Sequence, residues 1–236
     1  MNDTTVMNRE LNEYKALVFD LDGTLYYQRQ LRLKMAWMLG SYYLCHFWRI
    51  KELLVIKRFR EIREHWDELS EISDNSAHAP DEGKSLEEVQ YAYVAKVMNC
   101  TPEMVRSTVE TWMYEKPLKA VYDTRDEELL EIIRAKRAAG QKIIIWSDYP
   151  IKDKLRSLGI EADGMYAATD KRVGALKPDP RGLELIMEDY GLRPDEILVI
   201  GDRMEKDAEA AKRAGCDRVV LPKDKRNREK LYKSIL

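Results

Sequence analysis

The sequence predicts an α/β protein with a doubly wound, Rossmann-like core of parallel strands and an inserted all-helical cap. Three short apolar runs rich in Val and Ile have the composition of buried parallel strands, at residues 16–19, 143–146 and 197–200. Helical patterns separate the second run from the third, and this alternation is typical of a parallel sheet covered by helices on both faces. The long stretch between the first two runs contains helical patterns but no convincing strand.

The core helices can be assigned from their apolar spacing and their end signals. Residues 126–139 carry apolar side chains at helical spacing, and Gly140 follows where a residue just past a helix end belongs. Residues 151–158 and 181–190 fit two further helices, each followed by a glycine. The charged run at residues 223–233 predicts a final helix that is solvated.

About ninety residues after the first strand predict a separate helical cap. A strand-to-helix connection in a doubly wound sheet is normally only a few residues long. We therefore expect residues 26–116 to form a helical cap domain, and residues 1–25 and 117–236 to form the core. Two long helical patterns begin the cap, at about residues 30–47 and 49–70.

Composition and charge limit the possible classes of protein. The chain has 236 residues, with 40 basic and 42 acidic side chains, and its net charge of −2 does not favour a nucleic-acid partner. Three scattered cysteines form neither a disulfide framework nor a close-spaced zinc site, which favours a reducing compartment. The longest uncharged stretch, residues 35–48, is shorter than a membrane span. We expect a cytoplasmic protein without a membrane or nucleic-acid partner, and the oligomeric state is left open.

Chemically reactive side chains follow each predicted strand, at the edge where open α/β sheets bind ligands. The first strand is followed by Asp-Leu-Asp-Gly-Thr at residues 20–24, the second by Ser147 and the third by Asp202. Lys177 lies in a loop beside a proline that restricts the backbone. Each residue alone has a structural interpretation, as a turn former or a solvated charge. Their order favours a phosphate site, with carboxylates for Mg²⁺ and with Ser147 and Lys177 for phosphoryl oxygens.

These residues resemble the four motifs of the haloacid dehalogenase-like hydrolase superfamily, in the phosphoglycolate phosphatase-like subfamily with a helical cap after the first motif. The motifs are residues 20–24, Ser147, Lys177, and Gly201-Asp202 with Asp207. The resemblance implies a Mg²⁺-dependent phosphatase that acts on a small phosphorylated metabolite through an aspartyl-phosphate intermediate.

The resemblance also implies a role for each motif residue. Asp20 would be the nucleophile and Asp22 the general acid and base, with Ser147 and Lys177 completing the catalytic set. Mg²⁺ would be held by Asp20, the backbone carbonyl of Asp22 and Asp202, with Asp207 orienting these ligands. The implied phosphate-binding residues are Leu21, Asp22, Gly23, Thr24, Ser147, Asp148 and Lys177. The chain departs from the family's usual residues at Tyr26, Tyr27, Asp148 and Arg203.

Several alternatives remain open from the sequence. The same scaffold could support a phosphotransferase or a phosphomutase, or a catalytically idle binding protein. Dehalogenation is disfavoured, because a halide leaving group needs no proton and Asp22 is a proton donor. Residues 26–66 are basic and rich in aromatic side chains, which also fits a membrane-surface or nucleic-acid face. We favour a cap whose aromatic residues pack inward while its basic residues face an anionic substrate.

Overall fold

The computed structural model describes residues 5–66, 68–69 and 84–235. Residues 1–4, 67, 70–83 and 236, which fall in the predicted core and cap, lie outside the described residues. None of the described helices is both long enough and apolar enough to cross a lipid bilayer.

The core is a single six-stranded sheet in which five neighbouring strands run parallel. Its strands are β1 (Thr5–Val6), β2 (Ala16–Phe19), β3 (Lys142–Ser147), β4 (Gly164–Ala167), β5 (Ile197–Gly201) and β6 (Asp217–Val220). Their order is β1-β6-β5-β2-β3-β4, and only β1 is antiparallel to its neighbour. The three predicted strands, β2, β3 and β5, are confirmed and lie side by side in the centre of the sheet.

Helices precede and follow these strands. Those with described bounds are α1 (Gln28–Cys45), α2 (Ile50–Glu64), α3 (Leu86–Met98), α4 (Pro102–Val109), α5 (Leu118–Asp123), α6 (Glu127–Ala138), α7 (Lys152–Leu158), α8 (Arg181–Tyr190), α9 (Glu209–Arg213) and α10 (Lys225–Ile235). Short 3₁₀ turns lie at Leu11–Glu13, Phe47–Arg49 and Pro194–Glu196, and π-helical segments lie at Glu110–Glu115 and Met204–Ala208. The predicted core helices are confirmed as α6, α7 and α8.

The two faces of the sheet bury separate apolar clusters. Leu17 and Phe19 of β2 lie in one cluster, and Ala16 and Val18 lie in the other, because successive side chains of a strand point to opposite faces. All four residues of β2 are buried. The core is therefore the doubly wound sheet that its uninterrupted apolar strands predict.

Helices α1 to α4 lie between β2 and β3, where the sequence predicts the cap. The segments that leave and re-enter the core meet each other. The amide of Tyr27 donates to the carbonyl of Thr124 at 2.8 Å, and the amide of Asp126 donates to the carbonyl of Leu25 at 3.0 Å. The division of the chain into core and cap at residues 25/26 and 116/117 stays a prediction.

The expectation that the aromatic residues of the cap pack inward is wrong in part. Tyr43 and Phe59 are buried, but Trp37, Phe47 and Trp48 are 78%, 72% and 66% exposed. The physical reason is that α1 is apolar on more than one face, and only the face turned toward the rest of the protein can be buried against it.

The expectation of a solvated final helix is confirmed for the helix itself and wrong for one of its faces. Arg228 and Tyr232 of α10 are 1% and 3% exposed, and both donate hydrogen bonds to Asp126. Residues four apart lie on the same face of a helix, so these two side chains dock α10 onto the core.

Candidate active site

Lys177 links the motif residues at the carboxyl edge of the sheet. Its ammonium group donates to Asp20 Oδ1 and to Asp207 Oδ1, both at 2.7 Å, and to the carbonyl of Trp146 at 2.9 Å. Burial alone would lower the pKa of Lys177, but the negative charges of Asp20 and Asp207 outweigh this effect and raise it. Lys177 is therefore a buried cation held between carboxylates that are far apart in the chain.

Three carboxylates gather around this lysine. Asp20, Asp202 and Asp207 each offer an oxygen atom within 4.8 Å of the others. Burial, followed by the charge of Asp207, raises the pKa of Asp202 to about 6. Burial also raises the pKa of Asp20, against the opposing effect of Lys177. Three carboxylates and one ammonium leave two negative charges uncompensated when all are ionised, which a divalent cation would neutralise.

The hydrogen bonds around the cluster leave one oxygen atom without a partner. Asp207 Oδ2 accepts the amides of Asp202 and Arg203, at 3.2 and 3.0 Å, and Thr24 Oγ1 donates to Asp20 Oδ2 at 3.0 Å. Asp202 Oδ1, by contrast, is buried and has no hydrogen-bond partner among the described residues. A buried, unpartnered carboxylate oxygen costs free energy, and oxygen atoms are the ligands that Mg²⁺ prefers. The residues present therefore fit a magnesium ion.

Gly23 allows the first motif to lie against Asp202. Its φ of +103° falls in the left-handed region that favours glycine, and a Cβ atom there would lie 2.5 Å from Asp202 Oδ2. Any side chain at residue 23 would therefore displace the carboxylate that has a free oxygen.

Arg228 holds the same loop from its other side. Its guanidinium donates to the carbonyls of Gly23 and Thr24, the latter at 2.7 Å, and to Asp126 Oδ2 at 3.0 Å. Arg228 was not predicted as a site residue, because it lies in a run of charged residues. Its spacing of four from Tyr232 is the signal that could have identified a buried face.

Asp22 lies in a separate network beside the acidic cluster. Its carboxylate accepts from the hydroxyl of Tyr26, from the ammonium of Lys154, and from Ser147 Oγ at 3.4 Å. Burial, followed by the charge of Asp22, raises the pKa of Tyr26, which keeps the hydroxyl protonated as a donor. Nothing in the sequence around Lys154 distinguishes it from a surface lysine, and it too was missed.

A cavity of about 620 Å³ is lined by the acidic cluster, Asp22, Ser147 and Lys177, and it also carries basic side chains, among them Arg29, Arg32 and Lys206. The predicted phosphate-binding residues that line it are Asp22, Gly23, Ser147, Asp148 and Lys177, whereas Leu21 and Thr24 do not. Leu21 is buried in an apolar cluster of the sheet, and the hydroxyl of Thr24 is engaged by Asp20. Asp148 Oδ1 accepts the amide of Lys177 at 2.9 Å and so positions the lysine segment.

Helix α2 reaches over this cavity from the cap. The guanidinium of Arg63 donates to Gln90 Oε1 and to the carbonyl of Asp148. Glu64 forms an ion pair with Arg203, the residue that departs from the family's usual choice after Asp202. These contacts join α2 to the loops that follow β3 and β5.

Comparison with known proteins gives a family match over most of the chain. The model of haloacid dehalogenase-like hydrolases matches residues 14–215. A phosphoserine phosphatase from Thermus thermophilus is 27% identical over 130 residues, which cover 52% of this chain and 51% of that protein. The chain thus matches about half the length of this curated relative.

Solved structures with the same fold include members with different activities. The HAD-hydrolase YfnB from Bacillus subtilis, solved with magnesium bound, has a TM-score of 0.59 at 15% identity, over 94% of this chain and 99% of that one. A 2-haloacid dehalogenase from Pseudomonas syringae has a TM-score of 0.58 at 16% identity, over 88% and 86%. At such identities the likeness shows the fold alone. Since the family model spans most of its length, the protein belongs to the haloacid dehalogenase-like hydrolase family.

Proposed function

We propose that the protein is a Mg²⁺-dependent phosphatase that hydrolyses a phosphate monoester through an aspartyl-phosphate intermediate on Asp20. The observation that carries this proposal is the buried cluster of Asp20, Asp202 and Asp207 around Lys177, in which Asp202 Oδ1 has no partner among the described residues. The magnesium bound to the Bacillus subtilis relative and the phosphatase activity named for the Thermus relative support it.

The metal would be held by Asp20, Asp202 and the backbone carbonyl of Asp22, with Asp207 orienting these ligands. When bound, it would supply positive charge that offsets the charge of the phosphoryl oxygens. Lys177 and Ser147 would bind those oxygens. Such charge neutralisation is needed because the uncatalysed hydrolysis of phosphate monoesters is extremely slow.

The reaction has two steps. A carboxylate oxygen of Asp20 attacks phosphorus, the bond to the leaving oxygen breaks, and Asp22 donates a proton to that oxygen. Asp22 then accepts a proton from water, whose oxygen attacks phosphorus and releases inorganic phosphate and free Asp20. Tyr26 and Lys154 hold the carboxylate of Asp22 in place through both steps.

Asp22 also separates this proposal from dehalogenation, the activity named for several relatives of the same fold. Release of a halide ion requires no proton, so a dehalogenase has no use for an acid that is held in place by three donors. We therefore expect no halide release from 2-chloropropionate.

The decisive experiment measures inorganic phosphate released from a panel of phosphate monoesters, with Mg²⁺ and with a chelator. We expect release only with Mg²⁺, and its loss in Asp20→Asn. The matched control is Asp153→Asn, which removes an exposed carboxylate on α7. Transfer of phosphate to an added sugar instead of water would indicate a phosphotransferase, and no turnover of any ester would favour a binding protein.

A further inference from the structure

A second cavity, of about 360 Å³, adjoins the catalytic cavity and combines an apolar wall with charged side chains. We call it the apolar chamber. The residues of the apolar wall come from α1, α2, the π-helical segment Glu110–Glu115 and α5: Leu31, Met35, Leu39, Ile56, Trp112 and Val121. Its volume is sufficient for an organic group larger than phosphate.

The wall of the chamber is anchored in packed side chains. Trp112 is 6% exposed, and its ring contacts those of Tyr42 and Tyr43 at centroid distances of 4.9 and 5.7 Å. Ile56 belongs to the same apolar cluster, against which Met35 and Leu39 pack. The chamber wall therefore combines side chains of this cluster with Val121, which belongs to an apolar cluster of the core, and with Leu31, which packs against that core cluster.

Asp22 lies where the two cavities meet, because its side chain lines both. In the proposed reaction Asp22 donates a proton to the leaving oxygen, so the bond that breaks lies at this junction. The phosphoryl group then occupies the side of Lys177 and Ser147, and the leaving alcohol occupies the apolar chamber.

The chamber also carries charged side chains. Tyr26 and Lys154 donate to Asp22, and Arg63 donates to Gln90 and to the carbonyl of Asp148, so these donors are already engaged. Arg60 and Lys206 line the chamber as well. An apolar leaving group gains free energy by burying its surface against the apolar wall, whereas a polar group of the same size does not.

We propose that the substrate is a phosphate monoester of an apolar alcohol or phenol, with a leaving group at least as large as an aromatic ring. This inference rests on the proposed phosphatase activity and narrows its substrate class. It narrows the expected small phosphorylated metabolite to an amphiphilic phosphate ester.

The test compares 2-(1-naphthyl)ethyl phosphate with O-phosphoserine, both alkyl esters, in the presence of Mg²⁺. We expect kcat/KM to be higher for the naphthyl ester by about 10-fold or more, since one well-placed apolar group contributes at least that much discrimination. Leu39→Asn, which places an amide in the chamber, should remove most of this preference. Val97→Asn, an exposed position on α3, is the matched control.

Binding gives a readout that does not depend on turnover. The non-hydrolysable naphthylmethyl phosphonate should bind the wild-type protein more tightly than Leu39→Asn does, and methyl phosphonate should bind both equally. Equal kcat/KM values for the two esters, or equal binding of the naphthyl compound to both proteins, would overturn the inference while leaving the phosphatase proposal intact. No phosphate release from either ester, with the naphthyl phosphonate still favouring the wild type, would count against the phosphatase and support the chamber.

An independent observation concerns the opposite side of α1. Of the eleven large hydrophobic side chains that are exposed among the described residues, seven lie between residues 33 and 54. We call this set the hairpin face; its members are Leu33, Trp37, Leu44, Phe47, Trp48, Ile50 and Leu54. Exposed apolar patches that are contiguous and rimmed by polar residues mark interaction sites.

The hairpin face follows helical geometry. Leu33, Trp37 and Leu44 are spaced by four and seven residues, so they form one stripe along α1. Phe47 and Trp48 continue the stripe at the turn between α1 and α2, where the centroids of their rings lie 5.3 Å apart. The stripe thus ends in two aromatic side chains at the tip of a helical hairpin.

The charge of the hairpin distinguishes between possible partners. Residues 28–64 contain nine basic and three acidic side chains. Four of the basic residues, Arg29, Arg32, Arg60 and Arg63, and the acidic Glu64 line the two cavities, so five basic and two acidic side chains, a net charge of +3, lie elsewhere on the hairpin. Two copies that met through this face would bring together two positive surfaces. An anionic lipid surface would attract it, and Trp side chains are enriched at the interface between lipid and water.

We infer that the hairpin face binds an anionic membrane surface. The test is co-sedimentation of the wild-type protein with vesicles of phosphatidylglycerol or of phosphatidylcholine. We expect binding to the anionic vesicles that weakens with added salt, and a loss of about tenfold or more in Trp37→Gln/Trp48→Gln. Met165→Gln, which changes an exposed side chain on β4, is the matched control.

Two outcomes would overturn this inference. One is equal sedimentation with and without anionic lipid. The other is a concentration-dependent dimer, measured by sedimentation velocity without lipid, that the double Trp variant abolishes; in that case a second copy of the chain occupies the face.

Discussion

The carboxyl edge of the sheet and the hairpin of α1 and α2 differ in how far their side chains are satisfied within the chain. At the edge, Lys177 and Asp207 are buried and hydrogen-bonded, through the ammonium group of Lys177 and both oxygens of Asp207, and Asp202 Oδ1 is the exception without a partner among the described residues. On the hairpin, Trp37 and Trp48 leave most of their surface in solvent. The edge is therefore determined by contacts within the protein, whereas the outer face of the hairpin presents surface to something outside it.

This difference teaches which residues carry general chemistry and which carry specificity. The edge contains the motif residues that the family shares, and their positions are fixed by charge and hydrogen bonding. One side of the hairpin lines the apolar chamber, and the other side forms the hairpin face. Substitutions at the edge should accordingly cost much folding free energy, and substitutions on the hairpin surface should cost little.

Lys177→Met should have the largest effect on stability. It leaves Asp20 and Asp207 buried without their cation, and removing one partner of a buried ion pair costs about 3–5 kcal/mol. The free energy of unfolding should be measured with urea in the presence of a chelator. Lys152→Met, at an exposed position of α7, is the control, and a loss below about 1 kcal/mol for Lys177→Met would mean that the edge is not held by this ion pair.

Gly23→Ala should have a smaller effect on stability but a specific effect on metal binding. Strain at a positive φ costs on the order of 1–3 kcal/mol, and the added Cβ atom also displaces Asp202. Gly140→Ala provides a close control, because Gly140 has a φ of +94° but open space around its missing Cβ atom. Calorimetric titration with Mg²⁺ should show weaker binding only for Gly23→Ala, and equal binding by both variants would contradict the proposed role of Asp202.

Glu64→Gln should change the free energy of unfolding by at most about 1 kcal/mol, since its ion pair with Arg203 is partly exposed. Glu61→Gln removes an exposed partner of Arg58 within α2 and should cost as little. The two variants should differ in catalysis, because Glu64 joins the cap to the loop after β5 and Glu61 does not. A KM that changes for Glu64→Gln alone would support this role. Identical kinetics of the two variants would indicate that the ion pair between Glu64 and Arg203 does not affect substrate binding.

Trp37→Ala should have the smallest effect on stability, within about 0.5 kcal/mol of the wild type, because its side chain is exposed. Trp112→Ala, in the wall of the apolar chamber, should cost about 3–5 kcal/mol. Urea unfolding of the two variants measures the contrast. A large loss for Trp37→Ala would show that the hairpin face packs against part of this same chain.

The central strands and the motif residues were predictable because their signals are local. Ile-rich runs such as residues 143–146 identify buried strands, and a reactive side chain directly after each run identifies the functional edge. The flanking strands β4 and β6 were not predicted, because neither is an uninterrupted apolar run: β4 begins with Gly164 and β6 begins with Asp217 and Arg218. The equally short β2 was predicted because all four of its residues are apolar.

The supporting residues of the site were not predictable, because their signals depend on tertiary contacts. Lys154 and Arg228 have the composition of solvated helices around them, yet one binds Asp22 and the other binds the loop of Gly23. Similarly, the apolar spacing of α1 gives two faces without saying which one is buried. A sequence pattern shows the chemical type of each residue and its local structure, whereas the contacts of that residue depend on elements that are distant in the chain.

The docking of Arg228 has a consequence for the order of events during folding. The loop at Gly23 is synthesised early, but the side chain that holds its carbonyls lies 205 residues later. Contacts this distant in sequence form slowly, since a long loop must close before they contribute. We therefore expect the catalytic loop to remain loosely organised in a nascent chain whose sheet is otherwise assembled, and to become competent only when α10 has been made and has packed against it.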